Sequence, residues 1–184
     1  MTALPDLIEA VTAFACRAGE KLRKQEHRAG QVLTFIHTSP FRKQDRQYSR
    51  SITVPLRRPS CDSAALTSTA VRGLRGLRGL RGLRGLRGLR AIFKPGFNYA
   101  KAGVMLLDLQ TADIEQGELE LDEPGTDRTQ LMEALDSLND RYGRNTVSIA
   151  SGGVASDKRR FSMKRERKTP EYTIRWEDMP VAHA

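Results

Sequence analysis

Between Arg72 and Arg90 the triplet Arg-Gly-Leu is repeated six times and closes on one more arginine. No other stretch restricts the fold as severely. Glycine at every third place suggests collagen, but the run holds no proline and is too short for a triple helix. Wound as an α-helix, each triplet advances about 300°, so the leucines spiral around the axis instead of lining one face. Each glycine also costs about 1 kcal/mol relative to alanine in a helix interior. Two readings stay open. One is a duplicated three-codon unit that lengthens an ordinary helix, which the perfection of the copies favours. The other is a cationic arm that attracts phosphates without reading sequence. The repeat holds seven of the 31 Lys and Arg residues, so without it the formal net charge falls from +9 to +2 (9 − 7).

On either side of the repeat the pattern is that of a small folded unit. Leu7, Ile8, Val11, Phe14, Ala15, Ala18 and Leu22 fall at helical spacing, with Glu9, Thr12, Glu20 and Lys21 opposite. They predict an amphipathic helix over about Leu4 to Gln25, with Pro5 and Asp6 in its first turn and Gly30 closing the turn beyond. Gln31 to Thr38 is rich in β-branched and aromatic residues and predicts a strand, stopped by Ser39-Pro40. A basic loop with Arg42, Lys43 and Arg46 leads to a second strand, Ser49 to Leu56, in which Pro55 marks an edge or a strand end. Asp62 or Ser63 caps a second helix that runs into the repeat and should stop near Ile92-Phe93, before Pro95-Gly96. Tyr99 to Gln110, with Val104-Met105-Leu106-Leu107 inside it, reads as a buried strand. The order helix, strand, strand, helix, strand predicts an α+β unit with two helices on one face of a small sheet.

These residues also support a resemblance. His37-Thr38-Ser39-Pro40-Phe41, the Arg-Gly-Leu-Arg-Ala-Ile that ends the repeat, and the stretch from Lys94 to Leu106 resemble the C-terminal part of UmuC-type proteins. Those are Y-family translesion polymerases, the polymerase subunit of bacterial DNA polymerase V. Leu131-Met132 to Leu138-Asn139, Arg141-Tyr142-Gly143-Arg144 and Tyr172-Thr173-Ile174-Arg175-Trp176 agree with it, so the resemblance spans nearly the whole chain. It implies a little-finger-like DNA-binding domain over residues 1–110, an acidic linker over 111–127 and a small α/β C-terminal extension over 128–184. The family carries one copy of the Leu-Arg-x-Leu segment. About five extra triplets would rotate everything downstream by about 60°, so they are expected to loop out or project into solvent. The family's little finger also opens with a strand ahead of its first helix, for which Met1 to Ala3 leaves no room. An unpaired or rearranged sheet edge is the expected result.

The little-finger reading sets the functional expectations. Such a module lays its sheet along a primer–template duplex and holds phosphates with basic side chains and strand-end backbone. The expected DNA contacts are Thr38, Ser39, Arg42, Lys43, Ser49, Arg50 and Lys101, at the strand ends and the loop between them. UmuC-type proteins carry a sliding-clamp peptide near the linker. Gln116, Leu119 and Leu121 keep its glutamine and leucines but lack the aromatic anchor, so only weak clamp binding is expected. The UmuD-type accessory dimer and the recombinase filament are the other implied partners. Beyond the linker, Leu131, Met132, Leu135, Leu138 and Tyr142 predict a helix ended by Gly143, and Asn145 to Ala150 a short strand. Lys158 to Lys168 reads as a solvated basic surface or a phosphate-binding patch, and Trp176 is expected to pack the extension or to stack on a base.

Catalytic chemistry is not expected. Nucleotidyl transfer needs carboxylates that hold two metal ions, and in the family these come from a palm domain that this chain lacks. Asp122-Glu123 and Glu177-Asp178 read as surface charge. His27, His37 and His183 have no partners at ligand spacing, and no phosphate-binding glycine loop is present. Cys16 and Cys61 show neither metal spacing nor a disulfide framework, and Cys16 reads as a small core residue. No cofactor is implied. The first residues carry Asp6, Glu9, Arg17, Glu20 and Lys21, unlike a signal peptide or membrane span, and point to a cytoplasmic protein without membrane association.

Overall fold

The computed structural model describes residues 1–76, 91–111, 128–143 and 146–150. Helix α1 spans Leu4–Lys24, with Pro5 and Asp6 in its first turn and Lys21, Arg23 and Lys24 in its last, where they complement the helix dipole. Strands β1 (His27–Thr38) and β2 (Ser49–Ser60) follow, then helix α2 (Ser63–Arg75), strand β3 (Tyr99–Thr111) and helix α3 (Thr129–Tyr142). The strands form one antiparallel sheet in the order β2-β1-β3. Both α1 and α2 pack on the same face of it. The fold is the expected α+β, little-finger-like arrangement.

The core lies between that sheet face and the two helices. Leu7, Val11, Ala15 and Leu22 from α1 meet Leu66, Ala70 and Leu74 from α2 above Val32 and Ile36 of β1, all fully or nearly fully buried. Alternation along β1 decides this, since even-numbered residues from Val32 to Thr38 are buried and the odd-numbered ones only half-buried. The helices approach closely where small residues line the contact. A Cβ on Gly19 would lie 2.9 Å from Ser63 Oγ, and Cys16 Sγ sits 3.6 Å from Thr67 Oγ1. Thr12, assigned to the polar side of α1, is instead buried on the same stripe, one turn before Cys16, and its hydroxyl has no hydrogen-bond partner.

Several boundaries differ from the sequence reading. β1 begins at His27 and β2 continues to Ser60, because a register shift between Ala29 and Gln31 lets Ala29 pair with Ser60. Gly30 thus lies within a strand, where a Cβ would lie 2.2 Å from Asp108 Oδ2. Pro55 is accommodated because β2 is an edge strand, as the proline suggested. β3 is not a buried strand but the opposite edge, with Met105 and Leu109 each about half exposed. Its apolar run carried no period from which a second, wet face could be read. Along β3's outer edge, Met1 and Tyr99 exchange two backbone hydrogen bonds of 2.9 Å, one rung of an antiparallel ladder. Residues 146–150, expected as a strand, are irregular.

The largest departure concerns the repeat. α2 is capped by Asp62, whose Oδ1 accepts from Ala64 N, and it stops at Arg75 instead of near Ile92-Phe93. The first triplet belongs to the packed helix. Leu74 is fully buried, and a Cβ on Gly73 would lie 2.8 Å from Ile52 Cγ2. Gly76 then takes a left-handed φ of 75°, which ends the helix at little cost only because it is glycine. Ala91 returns beside it, so close that a Cβ on Gly76 would lie 2.7 Å from Ala91 N. Phe93 N donates to Leu74 O, and Ile92 enters the core. Gly76 and Ala91, 15 residues apart, thus lie side by side, and β3 pairs with β1. The remaining copies, residues 77–90, lie outside the described residues.

Candidate nucleic-acid interface

The sheet face turned away from the helices is organised by register into rows that cross all three strands. Ser49, His37 and Lys101 form one row, Ser51, Phe35 and Gly103 the next, and Thr53, Leu33 and Met105 the third. The first row lies at the end of the sheet from which the 39–48 loop projects. Ser49, Arg50 and Lys101 are exposed there, as are Arg42 and Lys43 on the loop, while Ser39 is half-buried. Six of the seven expected DNA contacts are thus brought together at one end of the sheet.

Thr38 stands apart from them. It is 4% exposed, its hydroxyl donates to Gln47 Oε1 at 2.8 Å, and it accepts from Tyr48 N at 3.0 Å. Its side chain shapes the loop and leaves no donor for a phosphate. Gln47 completes that arrangement, with Nε2 within 3.0–3.2 Å of the carbonyl oxygens of Ser39, Arg42 and Asp45. One amide side chain therefore organises the loop that carries Arg42 and Lys43. Nothing in the sequence marked Gln47 for this role, because a glutamine in a polar loop has no distinguishing pattern.

An aromatic cluster underlies the same end. Tyr48 donates its hydroxyl to Ile92 O at 2.8 Å and packs against Phe97 and Tyr99, which in turn meets Phe93. Tyr99 is nearly fully buried; its hydroxyl donates to Lys94 O and accepts from Lys94 N. Burial pushes its pKa above the usual phenol value, only partly offset by the Lys94 backbone. Two further cations lie on these rings: the Arg46 guanidinium is 5.1 Å from the Phe97 centroid and Lys94 Nζ 5.4 Å from that of Tyr48. Asp45 tempers the charge, 3.7 Å from Arg42 and within hydrogen-bond distance of Asn98. Sequence named Arg46 only as part of the basic loop and gave Lys94 no role; the fold sets each against an aromatic ring from another segment. The other residues with an assigned role, Gln116, Leu119 and Leu121, lie outside the described residues.

Residues 1–119 match the impB/mucB/samB family C-terminal domain. The chain belongs to this family. Residues 129–182 match a domain of unknown function, DUF4113, which includes all of α3. Among its relatives, the protein MucB of Salmonella typhimurium is 32% identical over 97% of this chain. The protein ImpB of the same organism is 34% identical over 95%, and its UmuC from strain LT2 is 33% identical over 97%. The chain spans only 38%, 37% and 38% of the lengths of these three relatives, in their C-terminal part. No solved structure matches. The impB/mucB/samB match covers the sheet, both core helices and every described residue of the basic end. Among the described residues no helix is long and apolar enough to cross a membrane.

Proposed function

We propose that this chain is the DNA-gripping C-terminal part of a UmuC-like translesion polymerase, holding primer–template phosphates without catalysing transfer itself. The observation that carries the proposal is the convergence of Arg42, Lys43 and Lys101, with Arg50 beside them on the edge strand, at one end of the sheet. Cations spread along a strand end can follow a phosphate backbone, and the neighbouring hydroxyls of Ser49 and Ser51 add donors without base selectivity. In this reading residues 1–110 are the binding module, 111–127 a linker and 128–184 the extension, acting in the cytoplasm. Family membership supports the placement in DNA damage tolerance.

A salt titration of binding to a labelled primer–template duplex tests the proposal. It should be run in a background lacking Leu77–Arg90, so that the repeat's arginines do not mask the sheet. Replacing Arg42, Arg50 and Lys101 together with alanine should weaken binding and reduce the slope of log K against log salt by about 2.7. An unchanged slope and affinity would remove the sheet end as the binding surface.

A second reading, favoured by α3, is a protein-interaction piece. Leu131, Leu138 and Tyr142 are 59%, 42% and 61% exposed along that helix, while Met132 is its buried residue. Such an apolar stripe suits an accessory protein of the UmuD type or a clamp better than DNA. Binding to either that persists at high salt would support it.

A further inference from the structure

Phe35 and His37 lie on the open face of the sheet, where contacts to phosphates alone require no aromatic side chains. They sit on the sheet face opposite the helices, two residues apart on the central strand, with ring centroids 5.5 Å apart and planes within 26°. Neither packs against the hydrophobic core. The distal half of the Phe35 ring rests over Gly103 of β3: a Cβ there would lie 2.3 Å from Cζ and 2.7 Å from Cε1. The missing side chain at 103 leaves room for the distal end of the ring over the neighbouring strand, and the ring stays half-buried on the open sheet face beside His37. The two rings form one wall of an open depression of about 390 Å³ whose remaining lining is Ser49, Arg50 and Ser51.

We propose that Phe35 and His37 form a stacking platform for an unpaired base, so that this end of the sheet takes up a single-stranded segment in addition to duplex phosphates. The inference rests on the DNA-binding reading above and specifies its substrate. In a duplex the flat faces of the bases are already stacked on one another and only their edges are presented, so a ring on the open sheet face gains little there. In a single strand each base has a free face, and aromatic side chains beside a basic groove take it up with little regard to sequence. The charges are complementary: Lys101 lies beside His37 in register on the same face, placed to meet a phosphate flanking a stacked base, and Arg50 borders the depression from the edge strand. The serine hydroxyls of Ser49 and Ser51 supply donors at the depression's other wall.

The test compares the full chain with Phe35→Leu and Phe35→Tyr variants, using a fluorescein-labelled oligothymidine and a duplex of equal length. Leucine keeps apolar bulk over Gly103 and removes the π-face; circular dichroism confirms that the fold is retained. Phe35→Leu should weaken oligothymidine binding about tenfold, leave the salt slope unchanged and leave duplex binding untouched, with Phe35→Tyr restoring affinity. Equal losses on single strand and duplex would overturn stacking and make Phe35 a packing residue. Unchanged oligothymidine binding alongside normal duplex binding would overturn stacking while the DNA-binding reading stood. Binding to neither probe at low salt would overturn both.

Discussion

Arg23 on α1 and Asp136 on α3, 113 residues apart, meet through two hydrogen bonds, from Nε at 2.6 Å and from Nη2 at 2.7 Å. The same guanidinium uses Nη1 to reach Cys61 O at 2.8 Å and Ser63 Oγ at 2.9 Å. Arg23 therefore ties α3 to α1 and to the start of α2. Burial pulls its pKa down, but the hydrogen bonds and charge of Asp136 outweigh this and hold it above the ordinary value. A second, exposed contact from Lys24 Nζ to Asp140 at 2.8 Å runs parallel to it. Asp136→Ala should weaken the docking of α3 by about 2 kcal/mol, since bidentate charged pairs exceed neutral hydrogen bonds. Hydrogen exchange of the α3 amides should then accelerate about thirtyfold while the sheet stays protected. Arg23→Lys should fall between, because an ammonium cannot make the paired contact. Unaltered α3 exchange in Asp136→Ala would show that Met132 packing and the Lys24–Asp140 contact hold the helix without Arg23.

The buried, unpartnered hydroxyl of Thr12 is a stability defect. Valine has nearly the same shape and no polar atom to desolvate. Thr12→Val should stabilise the fold by about 1 kcal/mol and raise the melting temperature by a few degrees. A lower melting temperature would mean that the hydroxyl has a partner.

Because Gly76 and Ala91 already touch, deleting Leu77–Arg90 should leave the fold intact. Loop-closure entropy argues for a gain in stability of up to about 2 kcal/mol. Thermal melting of the deletion variant checks this, and a large loss would show that the repeat supports the core. The deletion removes five arginines, so non-specific DNA binding should become less salt-dependent if those arginines touch phosphates.

Gly103 is needed for its missing side chain. Gly103→Val would drive a Cβ into the Phe35 ring and should cost about 1–3 kcal/mol by displacing it. Combining it with Phe35→Ala should recover part of that loss, a coupling that a double-mutant cycle in urea would read. Additive losses would mean that the two positions do not interact.

Alkaline pH should unfold the protein from two buried groups. Burial pushes up the pKa of Cys16, against the opposing hydrogen bond from Thr67 and the charge of Arg23, and burial also raises that of Tyr99. Each folded group keeps a proton that the unfolded chain releases, so their contribution is complete below the ordinary values of 9.0 and 10.0. It is lost as pH rises through the folded values. Melting temperature should fall as pH rises above 9.0. Cys16→Ala should remove the earlier part of that fall; a melting temperature that rises over the same range would contradict the assignment.

Helix α1, a cap for α2 at Asp62 or Ser63, the span of β3 and the order of elements from α1 to β3 were all legible in the chain itself. They rest on interactions within a few residues: a 3.6-residue apolar period, a side chain that bonds the helix's first amides, runs of β-branched residues. The basic end was legible too, because Arg42, Lys43, Arg50 and Lys101 border the turns that close the strands. What local pattern could not specify was which strand would be central, and β3's apolar run was assigned to the interior when pairing left it at an edge. The stop of α2 at Arg75 was also out of reach. Six identical triplets offer six equivalent places to end a helix, and only the packing of Gly73 against Ile52 and the return of Ala91 beside Gly76 select one. Thr38, Gln47, Phe35 over Gly103 and Arg23 with Asp136 belong with these. Each depends on the register between strands or on residues far apart in sequence, so its free energy exists only once the chain has closed on itself.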